Sequence, residues 1–251
     1  MVRVLVMSAV VVASFGATSN AGLILTGTSY EQNFNSLVLP DNWTVRTGAS
    51  ATALGSVQSL SATRTWGNTG GRFFSSASVT GQVSNADSAT QDAAADRALS
   101  VRQTGAFDPG AAFVLELENT MGFESFSVGF NAEMQSVQPR TTTWRVDFGT
   151  GASPSAFTSI GTVSLGTEFG ETANTFSFGS QLDNLSGPVW IRIATVTEST
   201  GSDARDTFGI DDFQLSYSVT AVPEPSSLLL LGLAGVSVGV GRRWRRKKLV
   251  V

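Results

Sequence analysis

The 251-residue sequence predicts an all-β protein: an antiparallel two-sheet β-sandwich flanked by an N-terminal signal helix and a C-terminal transmembrane helix. Three observations carry this expectation. Apolar side chains recur at every second position through the middle of the chain. Clusters of Gly, Asn, Asp and Pro separate these runs, and no long stretch there has helical periodicity.

The elements follow in chain order. A first strand is expected within Gly22 to Phe34. Ser84 to Arg97, rich in Ala and with Asp87, Asp92 and Asp96, predicts a short helix or a long loop. Its acids lack the alternating-ligand-then-Gly spacing of a calcium loop. A strand is expected at Ala98 to Gln103, and in the next one Phe113, Leu115 and Leu117 alternate with Val114, Glu116 and Glu118. The clearest run sets Phe126, Val128, Phe130, Ala132 and Met134 against Ser125, Ser127, Gly129, Asn131 and Glu133, the pattern of a strand with one buried face. Trp144, Val146 and Phe148 repeat it, as do Val189, Ile191 and Ile193. Further strands are expected at Thr158 to Leu165, Thr175 to Leu182 and Phe208 to Val219. The intervening turns are Asp108-Pro109-Gly110, Asn119 to Gly122, Gly149-Thr150-Gly151 and Ser186-Gly187-Pro188.

Both ends read as processing segments. Arg3, the apolar Val4 to Val12 and the small residues at Ser19-Asn20-Ala21 form a secretory signal over residues 1–21, a substrate for signal peptidase. Nine residues, eight of them apolar, are too few to span a bilayer, which takes about 20 in a helix. Residues 22–221 are the ectodomain, long enough to bury a core without staples. Residues 222–251 form a tail with three parts. Val222-Pro223-Glu224-Pro225 is extended and poor in amide donors, the uncharged span Ser226 to Gly241 predicts a transmembrane segment, and Arg242, Arg243, Arg245, Arg246, Lys247 and Lys248 hold the end on the cytoplasmic side.

Composition excludes whole classes of function. Between Gly22 and Ala221 there are nine basic residues, all arginine, against nineteen acidic ones, a net charge of −10. Such a surface repels phosphate backbones, so no nucleic-acid partner is expected. The chain has no Cys and no His. That rules out thiol nucleophiles, Ser-His-Asp triads, His-ligated zinc and Fe–S clusters built from its own side chains.

The tail resembles the PEP-CTERM sorting signal, whose order of Pro-Glu-Pro, apolar span and basic end it shares. The resemblance implies that Pro223, Glu224 and Pro225 are recognised by an exosortase, a membrane enzyme that removes the tail during export. It implies transient anchoring in the inner membrane, then a cell-surface or extracellular destination. The same C-terminal module also goes under an ice-binding label. More faintly, Tyr30 to Leu37 with Trp43, and Phe208-Gly209-Ile210-Asp211-Asp212-Phe213, resemble the opening and closing strands of jelly-roll modules. In carbohydrate-binding jelly rolls such acids share a structural calcium. The resemblance therefore implies a calcium held by Glu31 and Asp211, with Asp212 as a substitute; no other cofactor is expected.

No residue is assigned a catalytic role. Trp190 and Arg192 are expected opposite Ile191 and Ile193, where an exposed ring beside a guanidinium can stack on a sugar; Trp66 has similar standing. Glu116 and Glu118, on one strand face, are the pair a secreted carbohydrate-active hydrolase would use, the rival to a non-catalytic role. Ice binding would need a flat repeated Thr array, whereas Thr141-Thr142-Thr143 is a single run. The expected function is that of an exported, non-catalytic surface or extracellular-matrix protein with polysaccharide as partner.

Overall fold

The computed structural model describes residues 22–61, 65–67, 70–105 and 107–220. The signal (1–21), Pro223-Glu224-Pro225, the apolar span 226–241 and the basic residues Arg242 to Lys248 lie outside them. Among the described residues there are thirteen strands and one helix. In chain order they are β1 (Ser29–Gln32), β2 (Trp43–Thr47), β3 (Ser56–Gln58), β4 (Leu60–Ser61), β5 (Arg72–Ala77) and α1 (Ser88–Ala93), then β6 (Arg97–Arg102), β7 (Ala112–Leu117), β8 (Phe123–Ser136) and β9 (Arg145–Thr150), and finally β10 (Thr158–Thr162), β11 (Gly170–Ser177), β12 (Val189–Ala194) and β13 (Thr207–Val219).

These strands make two sheets, as expected of a sandwich. One runs β10-β9-β12-β7-β2-β3 and the other β11-β8-β13-β6-β5-β4, with β1 added against β13. Pairing is antiparallel except between β4 and β5. The alternating residues of β8 do face the core, where Phe126, Val128, Phe130 and Ala132 are buried with Val146, Ile191 and Ile193 of the opposite sheet. Aromatic rings fill the middle. Trp144 stacks on Phe208 at 4.2 Å, Phe113 lies parallel to Trp144 at 5.5 Å, and Trp43 meets Phe213 edge-on at 4.8 Å. Each such pair adds roughly 0.5–1.5 kcal/mol beyond its buried area.

Strand β13 changes partner along its length. Thr207 to Ile210 pair with β6, and Phe213 to Ser216 pair with β1. Asp211 and Asp212 sit at the changeover, and Asp212 adopts a left-handed backbone (φ 48°) that Asp tolerates better than most residues. The stretch with expected helix-or-loop character contains α1, where Asp87 caps the first turn by accepting from the Thr90 N–H at 2.8 Å. The opening segment differs from expectation. Only Ser29 to Gln32 form a strand, and Leu23 makes a single bridge to Leu117. Likewise the strand expected at Thr175 to Leu182 begins earlier, at Gly170, because it pairs with β8 from Met134 down to Ser127. Among the described residues no helix is long and apolar enough to cross a membrane.

Candidate functional site

The inward side chains of β8 leave Asn131, Glu133 and Gln135 on the outer face of the seven-stranded sheet. That face is covered by the chain between β5 and β6. Ser78 Oγ and the Val79 N–H both donate to Glu133 Oε1, at 2.5 and 3.2 Å, and Thr80 Oγ1 donates to Glu171 at 2.9 Å. Trp66 is pinned at the other side of the cover. Its ring N–H donates to the Ala77 carbonyl at 2.8 Å, its backbone N–H donates to Gln91 Oε1 at 2.9 Å, and its carbonyl accepts from Thr207 Oγ1 at 2.8 Å. Trp66 packs with Ala77 and Val79, and Phe169 lies against its ring at 4.9 Å.

Beneath this cover lies a cleft of about 520 Å³, lined by Trp66, Phe169, Gln91, Gln135 and the hydroxyls of Thr65, Ser84 and Ser88, among others. Gln135 is the unusual member. It is 2% exposed, and its Nε2 donates to Ser76 Oγ at 2.8 Å and to Glu133 Oε2 at 2.7 Å, while its Oε1 has no hydrogen-bond partner. A buried amide oxygen without a donor costs about 1–3 kcal/mol, and this one is itself closed to solvent. Gly209 makes room for this carboxamide. A Cβ there would stand 2.6 Å from Gln135 Nε2 and 2.7 Å from Ser100 Oγ. Gly209→Ala should therefore cost about 1–3 kcal/mol in urea unfolding, the range for overpacking. A neutral result would mean that Gln135 moves freely.

Carboxyls continue along the same face. Burial pushes the Glu133 carboxyl up to about 7, despite its donors, and Glu171 nearby adds to the rise. Burial likewise pushes Asp211 up to about 8, with further repulsion from Glu133, Asp212 and Asp96. Asn131 Nδ2 donates to Glu171 at 3.2 Å and to Asp212 at 3.4 Å. Beyond Asp212 opens a second cleft of about 550 Å³, lined by Glu31, Gln32, Asn33, Asp212, Phe213 and Gln214.

Glu31 and Asp211 are not brought together. The register sets Glu31 opposite Gln214, whose amide donates to it at 2.9 Å, and Asp211 is buried three positions back along β13 beside Glu133. It is Asp212, the substitute, that shares a cleft with Glu31. The expected pair therefore does not fit a shared calcium, which takes six to eight oxygens on one ion. Among the described residues no group of three or more His, Cys, Asp or Glu could hold a metal ion.

Trp190 and Arg192 require a correction of setting. They do face away from Ile191 and Ile193, but that face of the six-stranded sheet is covered. Arg192 is fully buried; its guanidinium forks onto Asp147 at 2.7 and 2.8 Å, reaches the carbonyls of Ala53 and Ser50, and lies 3.3 Å from the Phe157 ring centre. Trp190 donates to the Gly151 carbonyl at 2.9 Å and packs with Ala49, Val114 and Phe157. Neither presents an open stacking surface, because the loop after β2 folds back over them. Glu116 is half-buried opposite Trp190, with its carboxyl raised by burial against the pull of Arg46, whereas Glu118 lies beyond the end of β7. Trp66 is buried too, and only Phe169 offers a half-exposed ring at the cleft.

Residues 221–247 match the PEP-CTERM protein-sorting motif. The chain therefore carries that sorting signal, which marks an exported protein processed at the membrane. No curated protein matches the chain. Solved structures of similar shape include the K1 cleaved adhesin domain of Lys-gingipain from Porphyromonas gingivalis W83, at 12% identity and a TM-score of 0.43, covering 76% of this chain and 98% of that one. The xylan-binding module CBM15 is similar at 10% identity and a TM-score of 0.43, covering 78% and 100%. The C-terminal family 22 carbohydrate binding module of Clostridium thermocellum Xyn10B is similar at 13% identity and a TM-score of 0.44, covering 78% and 98%. Likeness at this level concerns the arrangement of strands.

Proposed function

We propose that this is a non-catalytic surface or extracellular-matrix protein, freed from its sorting tail by an exosortase, whose sandwich binds polysaccharide in the cleft under the Trp66 cover. The cleft carries the binding half of this reading. It combines a half-exposed Phe169 ring with amide and hydroxyl side chains. An apolar ring face with a few convergent polar groups is what a sugar ring and its hydroxyls require.

The hydrolase alternative finds less support. A catalytic acid must come within hydrogen-bond reach of the substrate, at about 2.6–3.2 Å. Glu133 and Asp211, the two carboxyls raised toward neutrality, are closed off from solvent at 0% and 2% exposure. Glu133 spends its oxygens holding Ser78, Val79 and Gln135. Glu116 and Glu118 meet no cleft described above.

The sorting half is tested by mass. Transient anchoring of Ser226 to Gly241 in the inner membrane, followed by cleavage near Pro223-Glu224-Pro225, predicts a mature protein without the basic end. In a host with the processing enzyme, intact mass of the surface or matrix fraction should show the tail missing. A C-terminus still at Val251 would sink the idea. Co-sedimentation with the host's exopolysaccharide tests the binding half, and protein left wholly in the supernatant would count against it.

A further inference from the structure

We infer that the open edge of β11 is a pairing surface for a second copy of this chain, so that two sandwiches join edge to edge through one continuous sheet. β11 ends the seven-stranded sheet and pairs with β8 from Gly170 to Ser177 without a register shift. Just past it, the Phe178 N–H donates to the Phe126 carbonyl at 3.0 Å. Bonded and non-bonded pairs alternate along an antiparallel ladder. In this register Thr172, Asn174 and Phe176 direct their backbone groups to β8, and Glu171, Ala173, Thr175 and Ser177 direct theirs to the open side. All four are exposed, and among the described residues no loop backbone is hydrogen-bonded to them.

The other free edges are guarded. β3 and β4 have only three and two residues, β1 has four with Glu31 among them, and β10 breaks register between Ser159 and Gly161. β11 has eight residues with no proline, no cation and no bulge. An unguarded edge of this kind is a template for another strand.

Charge and symmetry select a second copy as that strand. Two ectodomains of net charge −10 repel, so they can meet only through an uncharged stretch, and Thr172 to Leu182 is one. A twofold axis at Asn174 sets Ala173 of one copy opposite Thr175 of the other, and Glu171 opposite Ser177. No two carboxylates then face each other, and the four outward residues of each copy form about eight new backbone hydrogen bonds. On the core-facing row the half-buried Phe176 meets Thr172 of the other copy, a ring against a β-branched side chain.

The test uses the full chain in detergent. The chain has no cysteine, so Thr175→Cys introduces a single thiol. A bismaleimide that bridges the roughly 7–8 Å of a diagonal cross-strand pair should couple it into a covalent dimer. Val57→Cys, exposed on the β3 edge, should stay uncoupled. Sedimentation equilibrium should show a dimer that tightens as salt rises from about 50 to 500 mM, because screening relieves the repulsion between copies. Thr175→Pro removes only an outward N–H, which an edge strand tolerates, and should weaken the dimer at least tenfold. Ala173→Glu with Thr175→Glu leaves the backbone as it is, sets carboxylates opposite one another and should do the same. Circular dichroism confirms that each variant keeps its strands. A monomer throughout, a dimer equally tight in a folded variant, or equal coupling at position 57 overturns the inference.

Discussion

Replacing Arg192 with alanine should destabilise the sandwich by about 3–5 kcal/mol, the usual cost of leaving one partner of a buried ion pair alone. Arg192 and Asp147 are both fully buried, and the guanidinium holds both carboxylate oxygens at 2.7 and 2.8 Å. Its remaining N–H groups accept no substitute. One donates to the Ala53 carbonyl at 2.7 Å and another to the Ser50 carbonyl at 3.0 Å, so the truncation orphans the cover loop as well. Arg145 still reaches Asp147 at 2.9 Å, but from a partly exposed position, and it offsets only part of the loss. Arg192→Lys should fall between, because an ammonium restores charge without the fork. The double variant Asp147→Asn with Arg192→Met removes the stranded charge and should lose less than Arg192→Ala alone. Urea unfolding with a constant m-value reads all three. A loss below about 1 kcal/mol in Arg192→Ala would show that the loop, rather than the ion pair, holds that face together.

Raising the pH from about 5 to 9 should weaken the fold, through the carboxyl pair under the other cover. Burial raises Glu133 from its ordinary 4.5 to about 7 and Asp211 from 3.8 to about 8. The unfolded chain releases these protons near pH 4, whereas the folded one keeps them until pH 7 to 8. Between those limits the native state binds more protons, so stability falls as pH rises. The contribution is complete below about pH 4 and gone above about pH 8. Each pKa unit corresponds to about 1.4 kcal/mol; because the two carboxyls interact and titrate as a pair, a combined loss on the order of 5 kcal/mol is expected. Glu133→Gln keeps an acceptor for Ser78 and Val79 but cannot ionise, and it should flatten the pH profile by about half. Unfolding midpoints at pH 5.5, 7 and 9 for both proteins provide the measurement. Parallel profiles for the two would mean that Glu133 does not titrate in this window.

The same residues separate what could be read locally from what could not. Alternation along Phe126 to Met134 and Val189 to Ile193 announced strands and told which side chains face inward, because the two-residue period is a property of the strand itself. β5, with the sequence Arg72 to Ala77, carries no such pattern. Covered on both faces, it buries Phe73, Phe74 and three small residues in succession. The sorting tail was legible for a related reason: its motif, span and basic end are contiguous, so no folding is needed to assemble them.

The candidate site was hidden by the same logic. Asn131, Glu133 and Gln135 occupy the polar positions of a half-buried strand, which look alike in sequence whether they meet water or another part of the chain. That Trp190 and Arg192 point outward was readable; that the Ser50 to Ala53 loop lies over them was not, since the loop's carbonyls come from about 140 residues away. Ser78 reaches Glu133 across 55 residues, and β13 carries Asp211 up beside it. By itself the sequence determined the strands whose apolar residues alternate, their inward faces and the export signal, each a matter of near neighbours. Only the tertiary structure decided which outward faces are covered, and hence which carboxyls keep their protons and where an acceptor is left without a donor. Burial depends on what packs from a distance, and a local pattern carries no record of that.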